Sequence, residues 1–264
     1  MKLRKFEACG NSFVLLDNLD RETDGSLLAH RLCHPGLGVG GDGLIVVLPS
    51  KVADLAMRIF NPDGSEAEVC GNGLRCVAKY VVEGKPSMVR KIKVETLSGI
   101  REVEPGVDRG RCGWARVDMG VPLFEGQTEV DSGKERLKLN LVALGNHHAV
   151  HFTSQSLAEL PLLDIGPKVE NMTPGRVNFE VARVISERRI QARVWERGVG
   201  ETLSCGSGAC AVACAARVNR LAKGKIGVEF RGGVLEVEWD GKGSAMLSGP
   251  VRQIFCGEWN EDIE

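Results

Sequence analysis

Two cysteines are the residues best placed to do chemistry. Glu68-Val-Cys-Gly-Asn-Gly-Leu-Arg-Cys76 and Leu203-Ser-Cys-Gly-Ser-Gly-Ala-Cys210 read almost alike, and they lie 135 residues apart, about half the chain. Each sets a cysteine, Cys70 or Cys205, just before Gly-Asn/Ser-Gly and a small-residue run that reads as a helix. A thiol at a helix start meets unpaired backbone N–H groups and the positive end of the helix dipole. That setting favours the thiolate, and the same N–H groups can hold an anion. Two such motifs in matching halves suggest two thiols serving one carboxylate-bearing substrate.

Other candidates carry less. Cys76, Cys210 and Cys214 fall inside the expected helices, and Cys9, Cys33, Cys112 and Cys256 belong to no constellation; all seven read as small buried hydrophobes. No Cys-x-x-Cys pair or zinc spacing occurs, so no metal is expected. Gly36-Leu-Gly-Val-Gly-Gly41 matches Gly-x-Gly-x-x-Gly, but an apolar strand run follows it where a dinucleotide site needs a helix. Glu196-Arg197 is a charged pair in a glycine loop, where arginine could hold a carboxylate in a bidentate fork and glutamate an ammonium. Asn11, Asn61, Asn146 and Asn178 sit at strand edges or turns, where asparagine is common for local reasons.

The chain has 264 residues, 43% hydrophobic and 26% charged, an ordinary globular composition. A net charge of −1 argues against a broad nucleic-acid surface. No run of about 18 apolar residues exists, so no membrane segment is expected. The start lacks the apolar stretch of a signal peptide, and the nine cysteines read as reduced thiols, so a cytoplasmic location is expected.

The elements that must position the thiols come in two sets. In the first half, strands are expected over 2–17 with a break at Ala8–Ser12, at 44–48 and at 55–60. A short helix is expected at 26–33, the first cysteine helix near 71–83, and strands again from about 91 to 118. In the second, strands are expected at 139–144 and 149–152, broken by Gly145-Asn-His-His148. A helix near 155–163, strands at 177–181 and 190–194, a loop at 196–200 and the second cysteine helix over 206–222 follow, with strands at 226–238 and 244–256. The order strand, strand, cysteine helix, strand occurs twice, which reads as a diverged internal duplication. The boundary is expected near Met119–Pro122.

These residues resemble the diaminopimelate epimerase family along nearly the whole chain. The likeness is carried by Gly10-Asn11 with Phe13, Gly38-Val-Gly-Gly-Asp-Gly-Leu44, Phe60-Asn-Pro-Asp-Gly-Ser65, Cys70-Gly-Asn-Gly73, Val117-Asp-Met-Gly120, Glu196-Arg-Gly-Val-Gly-Glu-Thr202, Cys205-Gly-Ser-Gly-Ala-Cys210 and Ser248-Gly-Pro-Val251. The resemblance implies an α/β fold of two pseudo-symmetric lobes, each a curled, mostly antiparallel sheet or barrel around a central helix. The lobe with Cys70 would comprise 1–118 plus about 250–264, and the lobe with Cys205 would comprise 119–249. It implies a cofactor-independent epimerase that interconverts LL- and meso-diaminopimelate, with a small amino-acid substrate and a homodimeric assembly. Cys70 and Cys205 would be the acid/base pair. Gly71, Asn72, Gly206 and Ser207 would hold the reacting carboxylate. Asn11, Asn61, Asn146, Asn178, Glu196 and Arg197 would recognise the distal amino-acid group, and His148 falls where the family has a histidine near the site.

The chain also departs from the family pattern. It has Gly145-Asn-His-His148 where the family has Gly-Asn-Pro-His, Ser12 for an aspartate, and Ala8-Cys9 for Gly-Leu. Its segment 170–176 is short and lacks a familiar histidine. Two alternatives stay open: a sibling racemase acting on another amino acid such as histidine, and a thiol redox or metal-binding protein without epimerase activity.

Overall fold

The computed structural model describes residues 1–17, 23–84, 90–133, 135–172 and 176–260. Part of the short segment singled out above, 173–175, and the end of the first expected lobe, 261–264, lie outside the described residues. The chain packs as two compact units, Met1–Val117 with Gly249–Glu264, and Asp118–Ser248.

The elements follow in chain order. First come β1 (Lys2–Ala8), β2 (Asn11–Leu16), α1 (Gly25–Leu32), β3 (Gly43–Leu48), β4 (Leu55–Phe60), β5 (Glu66–Ala67), α2 (Gly71–Gly84), β6 (Ile92–Thr96), β7 (Gly99–Asp108) and β8 (Arg111–Asp118). Then come β9 (Leu123–Asp131), β10 (Arg136–Ala143), β11 (His147–Phe152), α3 (Leu162–Met172), β12 (Asn178–Ser186), β13 (Arg189–Glu196), β14 (Gly200–Thr202), α4 (Gly206–Val218), β15 (Lys225–Phe230), β16 (Gly233–Glu238), β17 (Met246–Pro250) and β18 (Arg252–Glu258).

The two units repeat one pairing scheme. In the first, β18 pairs β1, β1 pairs β2, β3 pairs β4 and β4 pairs β5, all antiparallel, while β2 with β3 and β4 with β6 are parallel. In the second, β9 with β10, β10 with β11, β12 with β13 and β13 with β14 are antiparallel, while β11 with β12 and β13 with β15 are parallel. Each parallel step is bridged by a helix, α1 and α2 in the first unit and α3 and α4 in the second, as a parallel crossover demands. A mixed α/β fold with predominantly antiparallel pairing was expected, and it is found.

The cysteine helices are the buried ones. In α2, Gly71–Lys79 and Val82 are buried, and in α4 Gly206 and Gly208–Ala216 are buried. A helix buried on nearly every side is a core element rather than a surface one. The alanine, glycine and cysteine side chains of α4 let strands approach it closely. In α2 two long cations find buried partners: Lys79 Nζ donates to Cys112 O at 2.8 Å, and Arg75 Nη2 to Asn72 Oδ1 at 2.9 Å. Buried cysteines line both helices, and burial pushes the Cys76 and Cys214 thiols far up, the latter to about 12, which leaves them inert packing groups.

Four expectations are corrected. The helix near 155–163 is instead a 3₁₀ turn at Leu157–Glu159 followed by α3. Pro167 lies inside α3, yet Leu162, Ile165 and Val169 bury on one face and Gly166 admits the Trp195 ring, so packing outweighs the breaker. The strand β9 was not expected. Its burial alternates strictly, but Leu123 on the exposed face and Gly126 and Thr128 on the inner one blur the apolar period; its ladder to β10 defines it. The second cysteine helix stops at Val218, four residues early, because Arg220 adopts φ 59° and Leu221 N–H reaches back to Ala216 O. His147 and His148 belong to β11 rather than to the break before it.

Candidate active site

Cys70 and Cys205 cap their helices in the same way. The carbonyl of Cys70 accepts from Leu74 N–H at 2.9 Å, and its sulfur accepts from Gly73 N–H at 3.4 Å. The carbonyl of Cys205 accepts from Ala209 N–H at 2.9 Å, and its sulfur accepts from Gly208 N–H at 3.3 Å. Each sulfur therefore stands where a serine or aspartate cap oxygen stands in other helices. The glycine three residues on is closely packed at both sites. A Cβ on Gly73 would lie 3.1 Å from Ile59 and 3.5 Å from Cys70 Cβ; one on Gly208 would lie 2.6 Å from Glu180 Oε1 and 3.2 Å from Cys205 Cβ.

Around Cys70 the first unit gathers Gly71 and Asn72, both buried in the opening turn of α2. The Asn72 amide is held by the fully buried Arg75, which also donates through Nε to Pro250 O at 3.3 Å. Asn11 opens β2 opposite Ala8. Asn61 closes a tight turn after β4: its N–H donates to Ser65 O at 2.8 Å and its Nδ2 to Ser65 Oγ at 2.9 Å.

The second unit joins its candidates into one hydrogen-bonded network. Ser207 Oγ lies 3.4 Å from Cys205 Sγ and accepts from Asn146 Nδ2 at 3.4 Å. Asn146 Oδ1 lies 2.9 Å from His148 Nε2, and His148 Nδ1 lies 2.7 Å from Glu180 Oε1. His148 and Glu180 are fully buried, and their spacing follows from parallel register: His148 faces Asn178, so Glu180 falls two residues on, on the same face. Asn178 bridges to the charged loop, donating to His147 O at 3.3 Å and accepting from Arg197 N–H at 2.9 Å. Glu196 accepts from Thr202 Oγ1 across the β13–β14 hairpin. The Arg197 side chain is exposed while its backbone is pinned. The sequence reading missed Glu180, whose signal was an acidic residue inside the buried strand run Val177–Val181. It also missed Arg75 and Glu170, which carry only ordinary helix patterning. Among the described residues, no three His, Cys, Asp or Glu side chains gather as a metal ion would require.

A model of the diaminopimelate epimerase family matches residues 5–124 and 140–254, spanning both cysteine helices. The chain belongs to the diaminopimelate epimerase family. Diaminopimelate epimerase of Caldanaerobacter subterraneus is 41% identical over 98% of this chain and 99% of its own length. That of Pelotomaculum thermopropionicum is 39% identical over 98% and 99%. Among solved structures, a probable proline racemase from Agrobacterium radiobacter superposes with a TM-score of 0.80 at 16% identity, covering 99% of this chain and 93% of that one. A Bacillus anthracis phenazine biosynthesis protein of the PhzF family superposes at 0.74 with 17% identity, covering 98% and 99%. These distant structures share the epimerase family's fold.

One electrostatic expectation is corrected for this epimerase-family chain. Burial pushes the Cys205 thiol well above the ordinary cysteine value, and the carboxylates of Glu196 and Glu180 push it further. The Ser207 hydroxyl and Gly208 N–H pull it down, but by less. Desolvation and two nearby anions outweigh the helix terminus, so the resting Cys205 holds its proton.

Proposed function

We propose that the chain interconverts LL- and meso-diaminopimelate, with Cys70 and Cys205 as its acid/base pair. What carries the reading is a pair of helix-capping thiols of matching geometry in a chain of this family. An amino-acid α-proton is weakly acidic, and inversion needs a base on one face of the carbon and an acid on the other. A thiolate and a thiol meet that need, and their roles reverse in the opposite direction. Cys205, buried beside two carboxylates, would enter the reaction as the proton donor, and Cys70 on the other face would then take the α-proton. Backbone N–H groups at Gly71, Asn72, Gly206 and Ser207 would hold the carboxylate and stabilise charge that grows on it as the carbanion forms.

Asn11, Asn61, Asn146, Asn178, Glu196 and Arg197 would bind the distal amino-acid end and so decide which centre reacts. His148, held by Glu180, would keep Asn146 oriented. On family likeness, the same reading makes the enzyme a cytoplasmic homodimer that needs no cofactor and serves lysine and cell-wall precursor biosynthesis. Chiral analysis of an amino-acid panel tests it. LL-diaminopimelate should convert to the meso isomer while histidine, proline and monocarboxylic amino acids stay unchanged; preferential turnover of any of those would defeat the reading.

A further inference from the structure

Glu170, on α3, grips the loop that carries Glu196 and Arg197 from outside the network of the thiol. Its side chain is 4% exposed. Oε2 accepts from Trp195 Nε1 at 2.8 Å, on the strand residue that leads into the loop. Oε1 accepts from the backbone N–H of Gly198 at 3.0 Å, on the residue that follows Arg197, and also from Arg176 Nη2. The Trp195 ring is fixed in turn. A Cβ on Gly166 would lie 2.4 Å from it, so α3 can pack there only with glycine, and a Cβ on Gly200 would lie 3.7 Å from its far edge. Arg197 is therefore pinned through its own N–H by Asn178 and through the next N–H by Glu170. These donors hold the buried carboxylate ionised: burial alone would raise its pKa, and the bonds from Trp195, Gly198 and Arg176 bring it below the ordinary value. Glu170 also opens the short segment in which this chain departs from its family.

We propose that Glu170 is a specificity-determining positioning residue: it fixes the backbone on either side of Arg197 and thereby sets affinity for the distal carboxylate of the substrate. The proposal rests on the diaminopimelate reading above. A planar guanidinium engages a carboxylate through two bonds only when its stem is aimed, so a loosened loop costs binding before it costs chemistry. Glu170→Gln keeps the size. However, an amide has a single acceptor oxygen, so its NH₂ faces either Trp195 Nε1–H or Gly198 N–H, donor to donor, and one of the two ties on the loop is lost.

The test measures steady-state kinetics and amide hydrogen exchange on the full-length enzyme. Glu170→Gln should raise KM for diaminopimelate by about 10-fold or more while kcat at saturation changes by less than about 3-fold. Combined with Arg197→Lys it should add little to the KM of Arg197→Lys alone, since both act through one contact. Arg176→Ala, which removes a largely exposed partner, should shift KM by less than about 3-fold. The Gly198 amide should exchange about 10-fold faster in Glu170→Gln without any substrate. That last readout separates the proposal from the functional reading, because it needs no turnover. Should Glu170→Gln fail to fold, Trp195→Phe, which loses one N–H and keeps a ring, should show the same split more weakly. An unchanged KM, a loss confined to kcat, a multiplicative double variant or an unchanged Gly198 amide would each overturn it.

Discussion

Arg197 and Gly208 show how much a single side chain decides here. Arg197 has an exposed guanidinium on a backbone pinned by Asn178, so it is free to close on a carboxylate without moving its stem. Arg197→Lys keeps the charge and loses the planar fork. The expected cost is about 2–4 kcal/mol, or roughly 30- to 1000-fold in kcat/KM for diaminopimelate, with slow α-deuterium exchange retained. Gly208 is constrained from the other direction. A methyl there would sit 2.6 Å from Glu180 Oε1, a carboxylate bonded to His148, and 3.2 Å from Cys205 Cβ. Gly208→Ala should destabilise by about 1–3 kcal/mol through overpacking, read as a fall in Tm. Epimerisation should fall further than the Tm shift implies, because the cap on Cys205 is displaced. The glycine motif was legible in the sequence, but its reason was not: Glu180 arrives from a strand 28 residues earlier.

At the scale of elements, β11 and β12 place His148 and Glu180 side by side beneath the start of α4. Neither is exposed, and Glu180 Oε2 finds no hydrogen-bond partner among the described residues. Removing one member of such a pair leaves the other stranded in a dry interior. Glu180→Ala should therefore cost about 1–3 kcal/mol of stability, measured by denaturant unfolding. An ion pair braces the 3₁₀ turn ahead of α3: Arg193 forks onto Glu201 at 2.8 and 2.9 Å and donates to Leu157 O and Leu160 O. The Arg193 bonds hold Glu201 below the ordinary 4.5, and the bonds to Glu170 hold that carboxyl below it too. Lowered carboxyl pKa values stabilise the fold fully above about 4.5, and that contribution is lost as pH falls through the folded values. Thermal unfolding between pH 7 and 3 should show Tm dropping below pH 4.5, with a shallower drop in Arg193→Gln. Strand and helix types were readable where hydropathy follows burial, alternating as in β6 or continuous as in β3. They failed where hydropathy departs from burial, as in β9, or where packing overrides a breaker, as in α3.

Across the whole molecule, the duplication was legible because its signature is local. Cys-Gly-x-Gly needs only four residues to declare a capped helix, and it occurs twice. The strand pairing that makes the two units equivalent was not legible, since parallel partners such as β4 with β6 lie far apart in sequence. Nor could the sequence show that the two thiols differ. Cys205 is buried beside Glu196 and Glu180, and that environment, assembled from β12 and the β13–β14 hairpin, reverses what a helix start alone predicts. Peptide-resolved alkylation of the resting enzyme across a pH series should accordingly find Cys205 modified only at higher pH than an ordinary free cysteine.

The claim on which the rest depends is that both thiols handle the α-proton. The direct measurement is epimerisation of LL-diaminopimelate in D₂O by the wild type, Cys70→Ala and Cys205→Ala, each shown to be folded by circular dichroism. The wild type should place one deuterium on the inverted carbon, and each variant should lose epimerisation by about 10³-fold or more. Epimerisation by either variant within about tenfold of the wild type would contradict the two-thiol account.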